Sequence, residues 1–188
     1  MALLAESLVD EWLNRDGFFT VRGIKHGVGE IDLLGVRPIA SGLEAWHVEV
    51  QASFRPIGYI APLPGDSLEG FAKSKTSMKT RPAKLMQRAA SDWVHKKFKS
   101  KAKHAAREVA WKSLNWKFIL IHAVAKSSAE VEAISACGVV TIPLHQVLLD
   151  LCDPKSSRIR GGAGTDLSEV IKYFYDHPNA SKTELGKA

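Results

Sequence analysis

Residues 29–36 read GEIDLLGV and residues 45–53 read AWHVEVQAS. Both are apolar, β-branched runs of the kind that fills a sheet, yet each carries acid in its middle: Glu30 and Asp32 in the first, Glu49 in the second. The segment between them, RPIASGLE, holds Pro38 and the Ser41-Gly42 pair, which is turn chemistry. The two runs therefore predict one hairpin. Its midpoint, if symmetric about Asp32 and Glu49, falls at Ala40 and Ser41, inside the expected turn, so the two carboxylates are expected to face one another across neighbouring strands. Alternate strand residues share a face, which puts His47, Glu49 and Gln51 on one side and Val48, Val50 and Ala52 on the other.

Facing carboxylates repel and shift each other's proton affinity unless a cation lies between them. Hard oxygen donors in that number suit Mg²⁺ or Mn²⁺, which keep water ligands and contact substrate phosphate. The plain alternative is a solvated polar face on a half-buried sheet, the reading we adopt for Glu30.

Outward from the hairpin, Leu3 to Arg15 has a helical apolar pattern centred near Leu8 and Trp12, with Glu6 at its edge. FFTVRGIKH (18–26) reads as a strand that precedes the hairpin. Residues 53–81 hold three prolines and no sustained period, which predicts a long irregular loop. From Pro82 a helical pattern runs across the 82–112 basic region as one amphipathic helix or a helix pair, with Lys84, Arg88, Lys96, Lys99, Lys103 and Arg107 expected on its solvent face and Val109 among the apolar positions. WKFILIHAVA (116–125) predicts a central strand, SSAEVEAISACG (127–138) a helix capped by serine, GVVTIPL (138–144) a buried strand, and HQVLLDLC (145–152) a short helix. SSRIRGGAG reads as a linker to a last helix, Asp166 to Asp176, capped by Thr165. The expected organisation is a domain over 1–152 of mixed α/β class, a central sheet flanked by helices, with 153–188 as linker and terminal helix.

Charge is unevenly distributed over the 188 residues. Residues 73–112 carry thirteen Lys and Arg against Asp92 and Glu108, a net +11 in a chain of net +6, which leaves −5 for the remainder. A cationic block on an acidic body points to a polyanion. Trp93, Phe98 and Trp111 in that block sit at helical spacing and are expected in the core rather than on bases. Cys137 and Cys152 have no CxxC neighbour, and the seven histidines show no metal-ligand spacing. RIRGGAGTD lacks the GK(S/T) of a phosphate loop. No run is long and apolar enough for a membrane span, and Met1 to Trp12 lacks the features of a secretory signal, so a cytoplasmic, non-membrane protein is expected.

Glu6 on the first helix, GEID (29–32) at a strand and VEVQ (48–51) on the next make up a pattern that resembles the PD-(D/E)xK nucleases. The order of elements is similar to their restriction-endonuclease-like fold, and to the archaeal Holliday-junction-resolvase branch in particular. The resemblance covers about residues 2–143. It implies that Asp32 and Glu49 ligate Mg²⁺ or Mn²⁺ together with the Val50 backbone carbonyl, and that Glu6 is an outer ligand through water. It also implies that Gln51 stands where the family usually has lysine, so that a neutral amide orients the attacking water and a lysine of the basic helix supplies the charge. The expected activity is metal-dependent endonucleolytic hydrolysis of DNA, with RNA as a further substrate class. Lys84, Arg88, Lys96, Lys97, Lys99, Lys103 and Arg107 would hold the backbone, and a homodimer would supply two sites. The alternatives are a catalytically inactive nucleic-acid-binding module on the same fold and a subunit of a larger nuclease complex.

Overall fold

The computed structural model describes residues 2–27, 29–52, 58–65, 71, 74–123, 125–153, 155, 159 and 166–177. The Thr165 cap, most of the RIRGGAGTD segment, and much of the 53–81 loop lie outside the described residues.

Helix α1 (Ala2–Arg15) buries Ala5, Leu8, Val9 and Leu13 on one stripe. It ends because Gly17 takes a left-handed φ of 85°, which lets the Phe18 amide reach the Leu13 carbonyl (2.9 Å) and the Gly17 amide reach that of Asn14 (3.0 Å). Strands β1 (Phe19–His26), β2 (Gly29–Ile39) and β3 (Gly42–Gln51) then form an antiparallel meander. The β2–β3 register runs from Ile39↔Gly42 to Leu33↔Val48, so the hairpin turns at Ala40 and Ser41.

After β3 the chain leaves the sheet and returns as β4 (Trp116–His122), parallel to β3, and then β5 (Val139–Pro143), parallel to β4. The sheet order is β1-β2-β3-β4-β5. In β4, Ile119 and Ile121 are buried against one side and Leu120 against the other, which is the signature of a strand covered on both faces. Helix α1 and α5 (Leu144–Cys152) cover the face bearing Val48, Val50, Ile119 and Ile121. Helices α2 (Ala83–Val94) and α4 (Ser128–Ala136) cover the other, where Ala89, Ala90, Trp93, Phe98, Leu120 and Ile134 pack. α6 (Asp166–Asp176) lies against α5. The architecture is thus mixed α/β with a five-stranded mixed sheet between helical layers.

The buried strand expected for GVVTIPL is corrected: it forms an edge strand, and Val140 is exposed. The basic region is the helix pair of the two forms expected: α2 passes into a π turn at His95–Lys99, the backbone extends at Ser100 (φ −63°, ψ 151°), and α3 (Lys101–Ala110) starts anew with Ser100 Oγ accepting from the Lys103 amide. The interruption resets the helical phase. Lys103 and Arg107 turn inward, 4% and 5% exposed, while Val109, expected on the apolar face, is 88% exposed. Trp93 and Phe98 are buried as the spacing predicts, but Trp111 is exposed. No helix of the described residues is long and apolar enough to cross a membrane.

Candidate functional site

One step beyond the Leu33↔Val48 pair, the same register sets Asp32 opposite Glu49. The Asp32 carboxylate takes the place of a ladder acceptor: its Oδ2 receives the Val50 amide at 2.7 Å. This fixes one oxygen of Asp32 to β3 at the residue that follows Glu49. Both acids lie at the end of the hairpin nearest the β3–β4 crossover, under the π turn and α3.

Glu49 is 1% exposed, and a carboxylate taken so far from water requires partners. It has three. Lys103 Nζ lies 2.5 Å from Oε1, His47 Nε2 lies 3.1 Å from the same oxygen, and Lys97 Nζ lies 2.7 Å from Oε2. Lys103 also donates to the Glu30 carbonyl, so this ammonium ties α3 to both arms of the hairpin. Burial works to raise the Glu49 carboxyl, but the His47 hydrogen bond and the two lysines outweigh it and hold it near 2. Glu49 is therefore ionised at neutral pH.

His47 shares the face of Glu49 and is fully buried against Phe98 and Phe118. Arg107, which also donates to the Phe98 carbonyl, lies with Nη1 2.8 Å from His47 Nδ1. A guanidinium can only donate, so Nδ1 accepts and the ring proton sits on Nε2, directed at Glu49. Burial is the main reason the His47 pKa is pushed down to about 4, which keeps the ring neutral. The His47–Glu49 contact is therefore a hydrogen bond rather than an ion pair.

Asp32 has the opposite character. Burial, then repulsion from Glu49, raise its pKa to about 6, against the lowering effects of the Val50 amide and Lys97, and Glu6 adds to the repulsion. Glu6, from α1, is thus close enough to act on Asp32, and it also attracts Lys97. Glu30, by contrast, has an exposed side chain. Gln51 is half-buried, and among the described residues its amide makes no hydrogen bond.

The donors suit a hard divalent cation with few protein ligands. Among the described residues no three of His, Cys, Asp and Glu are gathered closely enough to hold a metal by themselves. Mg²⁺ commonly takes one or two carboxylates and keeps its waters. Asp32 is the observation that fits it: a carboxylate pressed by burial and by Glu49, with its charge incompletely compensated.

Of the seven basic residues expected on nucleic acid, Lys84, Arg88, Lys96 and Lys99 are exposed, and Lys97 is half-buried at Glu49. Lys103 and Arg107 lie inside, under the site, and cannot reach a phosphate backbone; their exposed placement is corrected. The spacing held one signal of this: Ser100 as a helix N-cap restarts the phase, after which Lys103 and Arg107 stand four apart on one face.

A second buried acid was not anticipated. Glu130, in the first turn of α4, accepts the Ile60 and Ala61 amides at 2.9 and 2.8 Å, while Arg81 donates to the Ala61 carbonyl at 2.6 Å and stacks 3.8 Å from the Tyr59 ring. This pins the 58–65 segment of the irregular loop to the helical layer.

No protein-family model, curated protein or solved structure matches the chain.

Proposed function

We propose that the chain is a metal-dependent nuclease that hydrolyses DNA phosphodiesters on a restriction-endonuclease-like fold. The observation that carries this reading is the triangle of Asp32, Glu49 and Lys97: two acids opposed across a hairpin, and an ammonium 2.7 Å from Glu49 Oε2. The order of helix, antiparallel meander and parallel β4 and β5 also agrees with what the resemblance implies. Gln51 leaves the usual lysine position neutral, and Lys97 from the π turn brings a cation to the same two acids.

Asp32 and Glu49 would hold the ion, with Glu6 near enough to bind through water. The ion, when bound, lowers the pKa of a ligated water and offsets charge on the nonbridging phosphate oxygens. The chain's own residues prepare that chemistry. His47 and Lys103 fix the Glu49 carboxylate in one orientation, Lys97 supplies positive charge beside the scissile phosphate, and Gln51, whose side-chain amide bonds none of the described residues, can orient water. Lys84, Arg88, Lys96 and Lys99 contribute sequence-independent attraction for the backbone.

The test is cleavage of linear, nicked, branched and single-stranded DNA with Mg²⁺, Mn²⁺ or chelator. Cleavage should need the divalent ion and be lost in Asp32→Ala while DNA binding persists. Asp32→Ala cutting as fast as the parent would refute the site.

One observation favours a second reading, a nucleic-acid-binding module without catalysis. Both Glu49 oxygens already have ammonium partners, so the carboxylate is neutralised without a metal. That module would bind DNA in a salt-dependent way and cut under no divalent ion. Gln51→Lys separates the two: activity gained in an inert parent marks a decayed site, and activity lost from a working parent marks a functional glutamine.

A further inference from the structure

We infer that Lys97 is the resident cation of the metal seat, so that a divalent ion binds Asp32 and Glu49 only by displacing the Lys97 ammonium from Glu49 Oε2. The inference rests on the metal-site reading above and adds how that site is controlled.

The two oxygens of Glu49 are not equivalent. Oε1 is shared by Lys103, whose side chain is 5% exposed, and by His47, fully buried. Lys103 is further fastened to the Glu30 carbonyl, and His47 to Arg107. These partners cannot leave without opening the layer between α3 and the sheet. Oε2 is held by Lys97, whose side chain remains 32% exposed and has its ammonium at the end of a flexible stem. Exchange is therefore confined to Oε2, the oxygen available to a metal.

The ammonium of Lys97 also stands in the joint field of Glu49, Asp32 and Glu6. That focus of negative potential is where a divalent cation would be drawn. An ammonium and a divalent ion cannot share it, because like charges a few ångström apart in a partly buried site repel strongly. The device has a consequence for order of events. Without metal, Lys97 compensates Glu49 at Oε2; once displaced, the same ammonium is free to meet a phosphate oxygen.

The test uses the full chain without nucleic acid, and Mn²⁺ alone as the probe. Calorimetric titration of the parent, Lys97→Met and Glu49→Gln should show Mn²⁺ bound on the order of tenfold more tightly by Lys97→Met than by the parent, since a competing charge has gone. Glu49→Gln should bind far more weakly than either. Equal or weaker binding by Lys97→Met beside a parent that binds would overturn the competition and leave the metal site standing; no binding by either chain would overturn both. A second measurement needs no variant. In ¹⁵N-lysine spectra of the parent, the ammonium signal of Lys97, slowed by its ion pair, should be lost on saturation with Mg²⁺ while that of Lys103 persists. Persistence of both signals at saturation would count decisively against displacement.

Discussion

Lys103 Nζ and Glu49 Oε1 lie 2.5 Å apart with both side chains almost wholly shielded from water, so α3 is joined to the middle of the sheet by a charge pair. Removing one member of a buried pair leaves the other uncompensated, and the loss is larger than the pair's net worth. Lys103→Met should therefore destabilise the fold by about 3 kcal/mol, toward the low end of such cases because Lys97 and His47 stay on Glu49. The double variant Lys103→Met, Glu49→Leu should recover part of that loss. Urea unfolding of the parent, both single variants and the double variant reads this coupling, and strict additivity would show that the pair is not what ties the layers.

Asp32 is expected to lower stability at neutral pH in exchange for its charge. Its folded pKa of about 6 lies above the 3.8 of a free aspartate. The folded state thus binds the proton more tightly, and the contribution of Asp32 is fully present below pH 3.8 and lost as pH rises through 6. Asp32→Asn keeps an oxygen to accept the Val50 amide and removes the strained charge. It should unfold at higher urea at pH 7.5, by about 2 kcal/mol, with the advantage shrinking toward pH 4. A variant less stable than the parent at pH 7.5 would mean that Asp32 is already compensated.

The hairpin was legible because two independent signals, period-two alternation and turn residues at the midpoint, agree on one register. That is why the approach of Asp32 to Glu49 could be read from residue numbers. The surroundings of Glu49 could not. The spacing allows one helix or a helix pair over 82–112 without giving the phase after Ser100, and the π turn and extended residue there rotate everything that follows. Pattern reading also assigns lysine and arginine to solvent by default, which is right for Lys84 and Lys96 and wrong for Lys103 and Arg107. A buried acid in a core strand demands a buried cation, and that physical rule alone says one must exist without saying which. Glu130 escaped for a related reason: on a short helix with a weak apolar stripe, an acid near the N-terminus looks like ordinary dipole chemistry.

Glu130→Gln tests the anchor of the loop. The carboxylate accepts two amides with two oxygens, and a glutamine amide offers one oxygen and an NH₂ that cannot accept. One of the Ile60 and Ala61 amides is left unpaired in a buried place, which costs about 1–3 kcal/mol. Hydrogen exchange at residues 60 and 61 should accelerate more than at Leu120 in the sheet. Uniform acceleration across the chain would instead mean that Glu130 supports the whole fold rather than this segment.

The division of the basic residues into surface and interior gives the sharpest prediction for binding. Lys84, Lys96 and Lys99 are exposed on the α2 and π-turn surface, whereas Lys103 is committed to Glu49. Each phosphate contact releases about 0.9 of a condensed counterion from duplex DNA, and that number appears as the slope of log K against log salt. Replacing each of the three exposed lysines by alanine should reduce that slope by about 0.9 and weaken binding alike across sequences. Lys103→Met, assayed where it remains folded, should leave the slope unchanged. If Lys103→Met flattens the slope and Lys84→Ala does not, the nucleic acid approaches from the α3 side and the basic face of α2 has another partner.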